Sequence, residues 1–351
     1  MELRLWQRRE QLARRLPTAT TVHHELVRLF VEVVDGLHSG WGEVTPLNSS
    51  IGGDPDVAQV VTELRQRALP TLVAIANREG VLPPWPRLHL LASTRAVSLW
   101  AHAAMEMALL NHQLVHSEST LEELWQCNSE SVAEMSTHTL IDFDPTWQPS
   151  PRAQRVRVKT ETDVDPRPWA KAMGAWNVPI ILDFNTGARD EETVHDQLRA
   201  LRDDVEIVAV EQPFAPGNLA AHAALRHKIS VPVSLDEGVR SISDIRRIAQ
   251  YEAATLICIK PARMGGVAVA RSALVTAREL GLRSYVGGFF ESPVAREVHR
   301  ALAASGDVEP SDVGVVDVIS NGRAPYATRP GGVSPYPVPE GLVLLERFDL
   351  D

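Results

Sequence analysis

Apolar residues recur at every second position in Val27, Leu29, Val31 and Val33, the period of a strand with one buried face. Residues 1–45 therefore predict antiparallel strands, with Asp35-Gly36 turning the chain ahead of Gly40-Trp41-Gly42-Glu43. The polar segment from Arg14 to His24 predicts a mobile loop between the first two strands. Residues 48–53, rich in Ser and Gly, predict a second loop. Asp54-Pro55 opens a helix with Val57, Val60, Val61 and Leu64 on one face. Beyond the break at Leu82-Pro83-Pro84-Trp85-Pro86, a long helix is predicted over residues 93–112. It is apolar on most sides and so buried between other elements.

The period changes near Thr139-Leu140-Ile141-Asp142-Phe143, the predicted first strand of a second region. Five short apolar runs follow, each closed by a charged residue: Val156 to Lys159, Pro179 to Asp183, Ile207 to Glu211, Val231 to Asp236 and Thr255 to Lys260. Their charged ends lie 24 to 28 residues apart, the length of a strand with its return helix. The helical period shows in Trp169, Met173 and Trp176, in Val194, Leu198 and Leu201, and in Ala270, Leu274 and Ala277. Ser243 is the expected N-cap of the helix carrying Ile245 and Ile248. A seventh strand is expected over residues 282–287 and an eighth over 312–316, before an irregular tail rich in Pro and Gly from Asn321. Strands alternating with helices predict an α/β parallel barrel behind a small α+β domain.

Composition narrows the partners. The 351-residue chain carries a net charge of −10 without a basic cluster, which argues against a nucleic-acid partner. Two cysteines, Cys127 and Cys258, make no disulfide framework. Together with the lack of an apolar leader or membrane span, they give the expectation of a cytoplasmic protein. Oligomeric state is not legible.

In a parallel barrel the working residues sit at the C-terminal strand ends. The ends here read Lys159, Asp183, Glu211, Asp236 and Lys260. Three acids on consecutive strands offer oxygen ligands for a hard divalent cation such as Mg²⁺. The two lysines, four strands apart, fall on opposite sides of an eight-strand ring. Removing a proton α to a carboxylate builds charge that a cation stabilises, and a lysine with a depressed pKa serves as the base. Arg157 shares the strand face of Lys159 and is a second source of positive charge.

These residues resemble the enolase superfamily, muconate-lactonizing-enzyme subgroup. The resemblance rests on Arg157-Val158-Lys159, Asp183-Phe184-Asn185, Glu211-Gln212-Pro213, Asp236-Glu237 and Lys260-Pro261. Gly40-Trp41-Gly42-Glu43, Ala104-Met105-Glu106-Met107-Ala108 and the run from Ile259 to Gly266 are similar to further motifs of the family. It implies an α/β modified TIM barrel, (β/α)7β, over residues 126–320, with an N-terminal α+β capping domain over 1–125 and a tail, 321–351, packing back on that domain. It further implies Asp183, Glu211 and Asp236 as Mg²⁺ ligands and Lys159 and Lys260 as the acid/base pair. Arg157, Asn185 and Glu237 would stand behind them, and Arg263, Gly288, Glu291 and Ser292 would contact substrate. Arg157 departs from the usual Lys, and Gly238 from the usual Ser.

Within the subgroup the chain is most similar to o-succinylbenzoate synthases, because residues 305–316 are lean and Asp312-Val313-Gly314 lacks a second Asp. That implies dehydration of 2-succinyl-6-hydroxy-2,4-cyclohexadiene-1-carboxylate in menaquinone synthesis. Lys159 would remove the proton and assist hydroxide departure, with Lys260 as a stabilising cation. The Arg14 to His24 loop would close over the substrate. Racemisation of N-succinyl or other N-acyl amino acids suits two opposed lysines equally. A muconate cycloisomerase and a non-catalytic ligand-binding barrel are further readings. His23-His24-Glu25 does not continue as a zinc helix, since Arg28 stands at the next ligand position. Gly265-Gly266 reads as a tight turn rather than a phosphate loop, and Phe289 and Phe290 as packing or substrate wall.

Overall fold

The computed structural model describes residues 1–17, 22–36, 38–49, 52–91, 97–140, 143–160, 163–314 and 341–350. Strands β1 (Glu2–Pro17), β2 (Val22–Val34) and β3 (Ser39–Val44) join β11 (Val343–Asp349) in an antiparallel sheet of order β11-β1-β2-β3. Alternation in β2 puts Val27, Leu29, Val31 and Val33 in the core. The expected 14–24 loop is largely strand. Leu16 pairs with His23 and Pro17 with Val22, beyond a register shift after Gln11. A β-ladder uses only backbone groups, so polar side chains do not stop it. The side chains of Arg14 and Arg15 lie outside the described residues.

Helices α1 (Val57–Glu63), α2 (Leu69–Glu79), α3 (Leu99–His116) and α4 (Leu121–Trp125) complete this region. Asp56, not Asp54, caps α1, in a reciprocal box with Gln59. The long helix starts later and ends later than its apolar pattern indicates, at an N-cap made by Ser98, which accepts from the Ala101 N–H at 3.2 Å. It lies directly on β3. A Cβ on Gly40 would strike the His112 backbone, and one on Gly42 the Ala104 carbonyl and the Ala108 N–H, so only glycine permits this approach.

The second sheet is all parallel: β4 (Glu134–Thr139), β5 (Ala153–Lys159), β6 (Ile180–Asp183), β7 (Ile207–Glu211), β8 (Val233–Leu235), β9 (Leu256–Ile259) and β10 (Arg283–Val286), neighbours in that order. Around it run α5 (Ala170–Gly174), α6 (Glu191–Leu201), α7 (Leu219–Arg226), α8 (Ile242–Gln250), α9 (Pro261–Met264), α10 (Val267–Glu279) and α11 (Pro293–Ala304). The α8 N-cap is Ser241, two residues before the expected Ser243. Residues 309–312 close the ring. Glu309 and Asp312 donate to the Ser284 and Val286 carbonyls of β10. On the other side, the Ser311 N–H donates to the Ala133 carbonyl and the Met135 N–H to the Ser311 carbonyl, all at 2.9 Å. The eighth position is therefore filled earlier than the expected 312–316, of which 315–316 lie outside the described residues.

The first barrel strand also precedes its predicted place at 139–143. It reads Glu-Met-Ser-Thr-His-Thr, without a clear apolar period, because its polar side chains each find a partner. Glu134 takes Arg300 at 2.8 Å, Ser136 accepts from the Ser150 N–H, Thr137 accepts from Arg157, and His138 stacks on Trp147. Met135, Ile181, Ala209, Leu256, Cys258 and Tyr285 pack together as a separate buried cluster. No helix among the described residues is long and apolar enough to cross a membrane.

Polar bridges join the two regions. Glu43 of β3 accepts from the Ser292 N–H at 2.8 Å and its hydroxyl at 2.6 Å, at the start of α11. Glu106 of α3 accepts from the Ala268 N–H at 2.8 Å at the start of α10, where a Cβ on Gly266 would collide with it. Burial raises the Glu106 carboxyl from 4.5 to about 8 against these N–H groups. Since the folded value is the higher one, ionising this carboxyl weakens the fold, and the loss grows as pH climbs from 4.5 to about 8. Glu106→Gln should flatten this fall in urea-unfolding free energy, separating from wild type by a few kcal/mol, on the order of 3, at the alkaline end. Identical pH profiles would count against a strained carboxyl.

Candidate active site

Register sets the site. Lys159 pairs with Asp183 across β5–β6, and Asp183 with Glu211 across β6–β7. Parallel neighbours lie about 4.8 Å apart, so these three side chains form one row. Asp236 follows β8 and Lys260 follows β9 at the same rim. With 309–312 closing the ring, β5 and β9 stand opposite one another.

Each lysine leans on a carboxylate. Lys159 Nζ donates to Asn185 Oδ1 at 2.6 Å and to Asp183 Oδ2 at 3.2 Å. Lys260 Nζ donates to Asp236 Oδ2 at 2.9 Å and lies 4.3 Å from the Phe289 ring centroid. Burial alone would lower the Lys260 pKa, but Asp236 outweighs it and the net shift is upward. Burial would raise Asp236, yet Arg263 and Lys260 hold it well below the usual carboxylate range.

Glu211 is in the opposite condition. It is fully buried, neither carboxylate oxygen has a hydrogen-bond partner among the described residues, and burial with Asp183 beside it raises its pKa. Arg157 Nη1 approaches at 3.5 Å and turns its other nitrogen to Asp312. Burial would lower the Arg157 pKa, but Asp312 and Glu211 raise it well above the ordinary value, so it is a fixed cation. Two unbonded oxygens buried beside two neighbouring carboxylates make a hard oxygen donor set. That set fits a divalent cation.

Leu47, Trp100, Lys159, Asp236, Lys260 and Phe290 line a cavity of about 50 Å³ over this row. Arg157, Asn185, Glu237, Arg263 and Gly288 also face it. Glu237 accepts from Asn185 Nδ2 at 3.2 Å, and burial with Asp236 nearby raises its carboxyl to about 7. Glu291 and Ser292 are not in the lining. Glu291 accepts from the Phe289 N–H at 2.7 Å, and Ser292 is bound to Glu43.

The enolase C-terminal domain-like family matches residues 150–311. The barrel belongs to the enolase superfamily. Over 361 aligned positions the chain is 29% identical to an N-succinylamino acid racemase of an Amycolatopsis species, covering 94% of each. It is 31% identical to an o-succinylbenzoate synthase of Geobacillus stearothermophilus over 43% of this chain and 39% of that protein; other synthase alignments span about half of those proteins. A probable mandelate racemase from Alicyclobacillus acidocaldarius shares the fold, with a TM-score of 0.77, 23% identity, and coverage of 98% of this chain and 91% of that one.

Several supports of this enolase-superfamily site have no single-residue signal in the sequence. Gln212, at φ 38°, accepts from the Asp236 N–H at 2.9 Å and donates to the Phe214 carbonyl at 2.9 Å, which sets the Asp236 loop. Its place in Glu-Gln-Pro was the available clue. Asp54 reaches the barrel by gripping Arg263 Nη2 at 2.6 Å, while Arg263 Nη1 holds Asp236 Oδ1 at 2.6 Å. The chain separates these partners by 209 residues, beyond any local pattern. Arg263→Met leaves two buried carboxylates without this partner and should cost about 3–5 kcal/mol in urea unfolding. A cost below about 1 kcal/mol would mean the network carries little of the structure.

Proposed function

We propose that this protein catalyses proton abstraction α to a carboxylate of a small-molecule substrate, most specifically as an o-succinylbenzoate synthase. The observation that carries this reading is a pair of lysines on opposite sides of one cavity, each against a carboxylate of the same buried row. Asp183, Glu211 and Asp236 would hold Mg²⁺, which when bound supplies positive charge to the substrate carboxylate as the proton leaves.

Lys159 is the base. Its ammonium must first give up a proton, and Asn185, bridged to Glu237, fixes the nitrogen toward the cavity. After abstraction the same group, now protonated, donates to the departing hydroxide on the same face. Lys260 stays charged on the far side, held by Asp236 and Phe289. The capping residues Leu47 and Trp100 exclude water from above.

Asp312, the acid on the closing segment, is engaged by Arg157 and Arg296. This favours a substrate without a free α-ammonium, which the synthase substrate and N-acyl amino acids both satisfy. Racemisation of N-succinylamino acids is the second reading, favoured by the alignment along nearly the whole Amycolatopsis racemase. Relatives named as synthases support the first.

With the cyclohexadiene substrate, Lys159→Ala should lower kcat by about 10²–10⁴-fold; undiminished turnover would refute the base. In D₂O, a racemase exchanges the α-proton of both N-succinyl enantiomers, and such exchange without dehydration of the synthase substrate would reverse the ranking. Chelation should abolish turnover and added Mg²⁺ restore it. Full activity in a metal-free preparation would overturn the assignment of the three acids.

A further inference from the structure

A second group of ligand-type side chains lies at the far end of α3 from the cavity. Trp100 lines the cavity near the start of that helix, and His116 ends it, about 24 Å further along the axis at 1.5 Å per residue. His112 and His116 are one helical turn apart and so share a face. That face meets the turn between β2 and β3, where the Asp35 N–H donates to the His38 carbonyl at 3.1 Å and the His38 N–H donates to Asp35 Oδ1 at 2.9 Å. The turn is closed on itself, and its two side chains are aimed at the helix.

Asp35 is the hub. Its Oδ2 lies 3.1 Å from His112 Nε2 and 3.9 Å from His116 Nδ1, and its Oδ1 lies 3.3 Å from His38 Nδ1. One ligand atom from each of Asp35, His38 and His116 falls within 4.8 Å of the others. The His38 ring meets the His116 ring edge-on, with centroids 5.3 Å apart. A tetrahedral zinc ion with bonds of about 2.0–2.1 Å spaces its ligands by roughly 3.3 Å, so the rings need to close by about 1.5 Å at most. The side chains of His38 and His116 are 35% and 67% exposed and free to turn.

A hydrogen-bonded Asp–His cluster is the simpler use of these residues. Yet a carboxylate hydrogen-bonding one neutral imidazole needs no further ones around it. Three nitrogen rings from two separate elements converging on one carboxylate supply what a borderline dication takes. Magnesium and calcium prefer oxygen. We propose that Asp35, His38 and His116 bind a zinc-type transition-metal dication, with His112 orienting the Asp35 carboxylate. The bound ion ties the β2–β3 turn to the last turn of α3.

The test uses tag-free full-length protein, Zn²⁺ as the probe and excess Mg²⁺ to occupy the acid row. Wild type should take up one equivalent of Zn²⁺ more than the double variant His38→Ala/His116→Ala, and Zn²⁺ should raise the Tm of wild type alone. His112→Gln should weaken binding by about 10–100-fold. Equal stoichiometry and equal Tm response in wild type and double variant would overturn the site and leave a hydrogen-bonded cluster. Should the double variant misfold, Co²⁺-loaded wild type decides instead. Paramagnetic shifts on the His38 and His116 imidazole signals support the site, and their absence refutes it.

Discussion

Three carboxylates buried side by side are the constraint around which the barrel mouth is arranged. Asp183, Glu211 and Asp236 end neighbouring strands, where the sheet spacing forbids them to separate. Left alone, such a row would take up protons or break apart. Lys159, Arg157, Lys260 and Arg263 surround it, and each touches at least one member. Asp236 thereby receives two cations and is strongly acidic, whereas Glu211 receives one distant guanidinium and is strained toward the neutral form. The middle member, Glu211, keeps two oxygens without a hydrogen-bond partner among the described residues, which suits a site that takes a further cation.

The same electrostatics bind the capping region to the barrel. Asp54 holds Arg263, Arg28 donates to the Phe290 carbonyl at 2.7 Å, and Glu43 holds the start of α11. Phe290 sits at φ 65°, a conformation a bulky residue adopts only when its neighbours impose it, and it lines the cavity. The cavity roof is therefore fixed by buried polar contacts between two sheets rather than by apolar packing alone.

Much of this was legible in the chain. Charged residues recurring at the ends of apolar runs located the rim, because a parallel sheet buried on both faces writes its strands as continuous apolar stretches. Strand β4 escaped that rule: its partners for Ser136, Thr137 and His138 come from other segments. The α1 cap falls at Asp56, two residues beyond Asp54, which has a cap's composition but serves Arg263 instead. Helix ends depend on which side chain reaches a free N–H, and Ser241 and Ser243 are equivalent by composition. The salt bridges through Asp54 and Asp312 join distant parts of the chain, and one sequence has no means of expressing that proximity.

The four-stranded sheet has a temporal meaning. Its outer strand β11 comes from the end of the described chain and pairs with β1 from the beginning, with the Leu350 N–H donating to the Met1 carbonyl at 3.0 Å. As the chain emerges from the ribosome, the first sheet remains one strand short until all barrel strands have been synthesised. One edge of β1 is exposed to stray pairing throughout that interval. The capping region, made before the barrel, is thus completed only after it.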